Sequence, residues 1–176
     1  MTVTPLAAPA AAARAGLLPR LGAALYEALL ATALLFITGF LLLPLISPGT
    51  AATATQLTVP PLPARVALFC ALFSVLALYF VWSWTGGRRT LPLKTWRMRV
   101  ALPDGQPPLS KSALLRYLAA WIGPALALCA YAILRNTGYG PFALAILAVN
   151  FLWALVDRDR QFLHDRIAGT RILRDA

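Results

Sequence analysis

Acid is scarce in this sequence: 6 Asp and Glu stand against 16 Lys and Arg in 176 residues, and charged residues of both signs make up only 12%. An ordinary soluble domain carries about twice that share of charge, so with 60% hydrophobic residues the chain falls outside the soluble globular class. Histidine occurs once and cysteine twice, too few for a metal site built from them. Cys70 and Cys129 lie in different apolar blocks and are expected to be packing residues. No nucleophile sits on an elbow, and "WTGGRRT" lacks the fuller spacing of a phosphate-cradling loop, so neither an enzyme nor a cofactor is expected. No internal repeat is visible. The first twenty residues lack the early charge and apolar run of a secretory signal, and a short disordered Ala/Pro tail is expected there.

What the chain does have is apolar sequence in blocks of near-membrane thickness, at 21–43, 66–84, 113–134 and 141–156, the last extendable back to 138. These blocks do not alternate at strand or helix spacing, so lipid is expected to supply the burial. The expected fold is an all-α integral membrane protein of four transmembrane helices. The fourth block is short: at ~1.5 Å per residue its strict core covers about 24 Å, against a hydrocarbon thickness of roughly 30 Å. A buried re-entrant hairpin is the alternative for it, because Asn136, Gly138, Gly140 and Pro141 make a turn just before.

The basic residues cluster on one side of these blocks. Arg14 and Arg20 precede the first; Arg88, Arg89, Lys94, Arg97, Arg99, Lys111 and Arg116 lie between the second and the body of the third; Arg158, Arg160, Arg166, Arg171 and Arg174 follow the fourth. Only Arg65 and Arg135 fall on the other side, so both termini are expected in the cytoplasm and the chain in a bacterial plasma membrane. The net charge of +10 is read as a topology signal first. These charges hug span ends and are not interleaved with stacking aromatics, which argues against nucleic acid and for anionic lipid headgroups as the polar partner.

The 44–64 segment, rich in proline and threonine, suits an external loop. On the inner side "KTWRMRVALPDGQPPL" alternates Trp96, Met98, Val100 and Leu102 with Thr95, Arg97, Arg99 and Ala101 before a Pro-Asp-Gly turn. That pattern predicts a short cytoplasmic strand or half of a hairpin between helices 2 and 3. Ser110 or Ser112 is expected to cap the third helix. Over 161–168, Phe162, Leu163 and Ile167 recur at helical spacing and predict an interfacial C-terminal helix.

Three stretches, in order, resemble the RDD family of membrane proteins. That family is marked by an arginine opening the first membrane helix, an aspartate inside that helix and a second aspartate after the last span. Arg20 in "PRLGAALYEALL" matches the arginine and Asp165 in "FLHDRIAGTRIL" matches the second aspartate. Between them "GGRRTLPLKTWRMRVALPDGQPPLSKSALLRYL" is similar to the family's basic inner loop. The resemblance covers 16–173, so a membrane domain over 16–176 behind a 1–15 tail is expected. Two positions depart from the pattern. Glu27 stands at the place of the first aspartate, and Pro92 where the family often has glycine, which removes a backbone donor and fixes φ. The resemblance implies a membrane protein of unsettled activity, with transport as the function it suggests.

Arg20 and Glu27 are seven residues apart, so on a helix they share a face, offset by about 20° and about 10 Å along the axis. Arg20 can snorkel to the inner interface, whereas an ionised Glu27 against lipid costs several kcal/mol and must be protonated, paired or turned to a polar interior. Arg116, entering from the same side, is the expected partner; Arg20, Tyr117 and a basic residue of the tail helix are the alternatives. Asp165 is expected to meet Arg20. Such an acid is either an interhelical lock or a cation or proton site, and a single acid near arginines looks more like the lock. Asn150 is expected to hydrogen-bond between helices, and Pro124 to kink the third. His164 adjoins Asp165, but successive helical residues point about 100° apart, so no catalytic pair is expected.

Two function classes remain. Transport of a cation, proton or small solute through a site involving Glu27 ranks first, and because four helices without a repeat are few for a carrier, it implies a homo-oligomer. A non-catalytic scaffold or accessory subunit, recruiting anionic lipid or a partner membrane protein, ranks close behind.

Overall fold

The computed structural model describes residues 14–46 and 59–175. Most of the expected tail and most of the 44–64 loop lie outside the described residues. Helix α1, Leu17–Ile46, and α2, Leu62–Trp84, are the first two apolar blocks lengthened at their ends. Pro63 occupies the first turn of α2, whose amides have no partner within the helix, so its missing N–H costs little; Pro44, in the last turn of α1, takes the helical donor from the Phe40 carbonyl close to where the helix ends.

After α2 come a five-residue helix α3 (Leu91–Thr95), strand β1 (Met98–Ala101), α4 (Ser110–Ala120) and α5 (Ile122–Leu134). A 3-10 helix, Gly140–Ala148, then runs into α6 (Val149–Val156), followed by α7 (Leu163–Ile167) and strand β2 (Arg171–Arg174). Three stretches are long and apolar enough to cross a membrane: Leu17–Leu45, Leu62–Trp84 and Ser110–Leu134. The fourth, Gly140–Val156, has fewer residues, but its winding lengthens it. Its 9 residues of 3-10 helix at ~2.0 Å each and 8 of α-helix at ~1.5 Å each reach about 30 Å.

The third apolar block is two helices, broken at Trp121. Pro124 is the cause: it has no N–H for the carbonyl of Ala120, four residues back, and its ring crowds that oxygen. Asn150 of α6 supplies the missing donor, its Nδ2 lying 3.2 Å from the Ala120 oxygen. Small residues let the fourth segment approach α5. A Cβ on Gly123 would stand 3.2 Å from the Leu147 oxygen, and one on Gly140 3.1 Å from the Cα of Arg135. In a membrane such close backbone packing replaces the hydrophobic effect as the force between helices.

Burial is inverted relative to a soluble protein. Phe36, Phe69, Leu78, Ile133 and Leu155 are exposed, while Arg20, Arg116, Asn150, His164, Asp165 and Thr170 are buried. Large apolar side chains facing outward around a polar interior are what a lipid solvent selects.

At the arginine-rich end the chain builds a small sheet. Strand β1 pairs antiparallel with β2, Met98 opposite Arg174 and Val100 opposite Ile172. The inner-loop strand is therefore present but is not half of a local hairpin: its partner is the last stretch of the chain. Arg97, at φ 50, separates it from α3, so Trp96 caps a helix and does not join the strand. Arg14 bridges Leu173, and the Ala15 amide donates to the Ile172 oxygen at 3.1 Å, which brings the end of the expected tail into the sheet. Pro92 falls in the first turn of α3, where its missing donor costs nothing. Neither Ser110 nor Ser112 caps α4; its N-cap is Leu109, with no side-chain bond. The expected C-terminal helix is the five residues of α7.

Candidate functional site: a buried arginine-aspartate cluster beside a cleft

Asp165 is fully buried and is met by two guanidiniums. Arg116 Nη1 lies 2.6 Å from its Oδ1 and Arg20 Nη2 3.3 Å from its Oδ2. The first is an ion pair without hydrogen-bond alignment, since Arg116 Nη1 has no directed acceptor. Arg20 also donates to the Arg160 oxygen at 2.6 Å and stacks over Phe162, and Arg116 stacks over Trp84 at 4.6 Å. Burying three charges is expensive in solvation, and mutual attraction with these extra contacts offsets that cost only while all three are present.

The "LHDRIAGT" phrase is the local device that aims Asp165. Helix α7 ends at Ala168, and Gly169 takes φ 63, the left-handed conformation that glycine adopts without strain. The Gly169 amide then reaches the Arg166 oxygen at 3.3 Å and the Thr170 amide the Asp165 oxygen at 2.9 Å, a complete Schellman closure. The same turn brings the Thr170 hydroxyl 3.5 Å from Asp165 Oδ1.

His164 extends the network the other way. Its Nε2 is 3.3 Å from Arg116 Nη2, and its Nδ1 is 3.0 Å from Asn150 Oδ1, which also accepts the His164 amide at 3.0 Å. Arginine only donates, so Nε2 must accept and the ring proton sits on Nδ1. Burial, reinforced by Arg116 and Arg20 and opposed by Asp165, pulls the imidazole from 6.5 down to about 4, so it is neutral. One polar chain thus runs from Ala120 through Asn150, His164 and Arg116 to Asp165 and Arg20.

Glu27 lies apart from this chain. Its Oε1 accepts a 2.6 Å hydrogen bond from the Thr90 hydroxyl, and no ion pair joins it to Arg116 or any other cation among the described residues. The expected Glu27–Arg116 pair is thus absent, because the guanidinium is turned to Asp165. Thr90 is fixed in turn as the N-cap of α3, its oxygen accepting from the Leu93 amide at 3.4 Å. Thr90 is the residue the sequence reading passed over. A threonine followed by proline two residues on was its signal, the start mark of a helix.

Glu27 lines a cleft of about 240 Å³ whose walls also include Arg20, Arg116, His164, Trp84 and Phe80. Ala23, Ala24, Ala28 and Ala31 leave the room on the α1 side. Among the described residues no three His, Cys, Asp or Glu side chains converge as a metal site.

A helical bundle with outward apolar faces and a buried arginine-aspartate cluster at one end defines an integral-membrane class of protein. Comparison with known families matches residues 14–169, and the chain belongs to the RDD family. No curated protein and no solved structure gives a significant match.

Proposed function

We propose that this chain is a four-span plasma-membrane protein with both termini in the cytoplasm, which moves a proton together with a small solute or cation through the cleft. Glu27 is the group that takes up and releases the proton. One observation carries this reading: Glu27 stands in the cleft wall held by a neutral hydroxyl, with no guanidinium in ion-pair contact among the described residues. A lock needs its charge neutralised within the protein, and Asp165 already fills that role with Arg20 and Arg116. An intramembrane carboxyl left outside such a lock is suited to exchange a proton or hold a cation. Thr90 from α3 touches it, and Arg116 from α4, Asp165 from α7 and Tyr79 from α2 lie within range of its charge. The length of Gly140–Val156 supports a fourth span, the distribution of arginines supports the orientation, and a homo-oligomer supplies the second half that one chain lacks.

The test is proton flux in proteoliposomes carrying an internal pH dye. Wild-type protein is expected to dissipate an imposed gradient, and Glu27→Gln to abolish that flux with an unchanged melting temperature. Equal flux in wild type, Glu27→Gln and empty liposomes sinks the reading. The exposed Lys94, Arg97, Lys111 and Arg174 support the second reading, a scaffold on anionic lipid or a partner membrane protein. Co-purification of one stoichiometric membrane partner in the absence of flux favours it.

A further inference from the structure

The cleft joins one open acceptor to a wall of rings. Glu27 is half-buried; its Oε1 takes the Thr90 hydroxyl, and its Oε2 has no hydrogen-bond partner among the described residues. Neither oxygen is among the polar atoms shut away without a partner inside the protein, whereas Arg20 Nε, Arg116 Nε and Trp84 Nε1 are. A ligand in the cleft therefore meets an acceptor, not a donor. Six aromatic residues share the lining, Phe80, Trp84, Tyr117, Trp121, Phe151 and Phe162. The cleft also has an open side. Helix α1 packs on α2 and α3, and the fourth segment on α5 and α7, with no extensive contact between α1 and α6. Ala28 of α1 and Phe151 of α6 both line the cleft, and both are exposed. Exposed apolar side chains inside a membrane segment face lipid, so the gap between α1 and α6 opens onto the bilayer.

We infer that the cleft binds an apolar organic ammonium ion that enters from the bilayer, its charge at the Glu27 carboxylate and its body among the rings. This deepens the proposed function by naming the cation, and it rests on the cleft being the working site. An ammonium centre suits both parts of the lining, since a carboxylate and the negative faces of aromatic rings each attract it. An apolar body fills the rest of a pocket with few polar groups. A bare metal ion gathers several oxygen ligands, and no cluster of acids converges here among the described residues. Arg20 and Arg116 do not bar the cation. Each guanidinium is paired with Asp165 and stacked on a ring, Phe162 at 4.2 Å and Trp84 at 4.6 Å. Asp165 and an ionised Glu27 balance the two arginines, so a cation at Glu27 leaves the same net charge as a proton there. Proton and ammonium compete for one carboxylate, and the coupling between them is exchange. The other groups within range of Glu27 are Arg116 from α4, Asp165 from α7 and Tyr79 from α2; Arg20 of its own helix and His164 of α7 line the same cleft.

The test is titration calorimetry on the purified full chain in a neutral maltoside, with heats of mixing into empty micelles subtracted. The probes are benzyltrimethylammonium, the neutral benzyl alcohol, the anionic benzenesulfonate, and tetramethylammonium, which has the charge without the apolar body. Saturable binding of benzyltrimethylammonium is expected, with the other three weaker by about tenfold or more. The quaternary nitrogen carries no proton, so any pH dependence belongs to the protein. Affinity is expected to rise with pH in wild type. In Glu27→Gln it is expected to be lower by about tenfold or more and nearly independent of pH. Ala28→Phe narrows the open side from an exposed position, and is expected to weaken binding with an unchanged melting temperature. Absence of benzyltrimethylammonium binding, equal binding of any of the other three probes, or a wild-type affinity that does not change with pH overturns the inference. Unchanged affinity in Glu27→Gln overturns it as well; should that variant unfold, unchanged affinity in Ala28→Phe does so. Glu27-dependent proton flux without ammonium binding overturns it too, while leaving the proton-carrying reading standing. Ammonium binding without flux supports the site and removes the transport reading instead.

Discussion

Two guanidiniums share one carboxylate at the polar end of the bundle, and that arithmetic sets the outcome of changing any of the three. Asp165→Asn keeps the shape and the contact with Thr170 but leaves Arg20 and Arg116 buried against each other. It is expected to cost about 3–5 kcal/mol, read as loss of the folded fraction on detergent unfolding. Arg20→Met together with Asp165→Asn removes one surplus cation and is expected to be less destabilising than the sum of the single changes, because the three charges act as a unit. His164 gives the pH dependence. Its value falls from 6.5 to about 4 on folding, so protonation opposes the folded state. The stability present above pH 6.5 is expected to fall as pH drops toward about 4, by about 3 kcal/mol at full effect. Melting temperatures followed across that window should show the decline in wild type and a flatter profile in His164→Gln. Asp159 titrates lower still: its hydrogen bond to Arg14 holds its carboxyl below the ordinary aspartate value, and its bond to Arg166 adds to this.

The break between α4 and α5 is the element that most clearly ties sequence to site. Pro124 frees the Ala120 carbonyl, Asn150 takes it up, and the same Asn150 orients His164. Asn150→Ala therefore leaves a carbonyl and an imidazole N–H unsatisfied, and is expected to cost about 1–3 kcal/mol. Pro124→Ala restores the amide that the Ala120 oxygen lacks. In the Asn150→Ala background it is expected to recover part of the loss, and the coupling shows as non-additive melting temperatures in a double-mutant cycle. Had the break another origin, the two changes would add. The kink was readable from proline in an apolar block, and Asn150 from a lone amide among apolar residues. Their meeting was not, because it depends on the 3-10 winding that sets how far along α5 the fourth segment reaches. Nothing in "GPFALAILA" separates 3-10 from α winding, since its residues suit both.

On the scale of the whole molecule, the apolar segments form the body and a small sheet gathers the start, middle and end of the described chain at one pole. Arg14, β1 and β2 meet there, and Asp175 adds ion pairs to Arg89 and to Arg99. In the proposed orientation, single cysteines at Arg97 and Arg174 are expected to react with an impermeant maleimide only after the cells are opened. Cysteines at Arg65 and Arg135 are expected to react in intact cells, all in a Cys70→Ala, Cys129→Ala background. Labelling of Arg174→Cys as well as Arg135→Cys in intact cells would place Gly140–Val156 as a re-entrant segment rather than a fourth span, because a chain that does not recross leaves its end outside. The apolar blocks, the arginine asymmetry and the family signature were legible because each is a local or one-dimensional property. The pairing of β1 with β2 was hidden, since "RILR" is too short to announce a strand and its partner lies about seventy residues away.

By itself the sequence determined a membrane protein with a basic pole, one acid inside the first helix and, among the four that follow the last apolar block, the Asp165 of the family signature. Hydropathy, charge asymmetry and the glycine that turns the chain after Ala168 need no distant partner to be felt. Only the tertiary structure decided which acid pairs with which arginine. Arg116 has Glu27 and Asp165 both within range of its field, and the Schellman turn at Gly169 brings Asp165 to its guanidinium while Thr90 draws Glu27 aside. Seven residues along one helix placed Arg20 and Glu27 on a common face, and both line the cleft; the side chains reaching that face, Asp165 from α7 and Thr90 from α3, tied the first into the lock and left the second outside it.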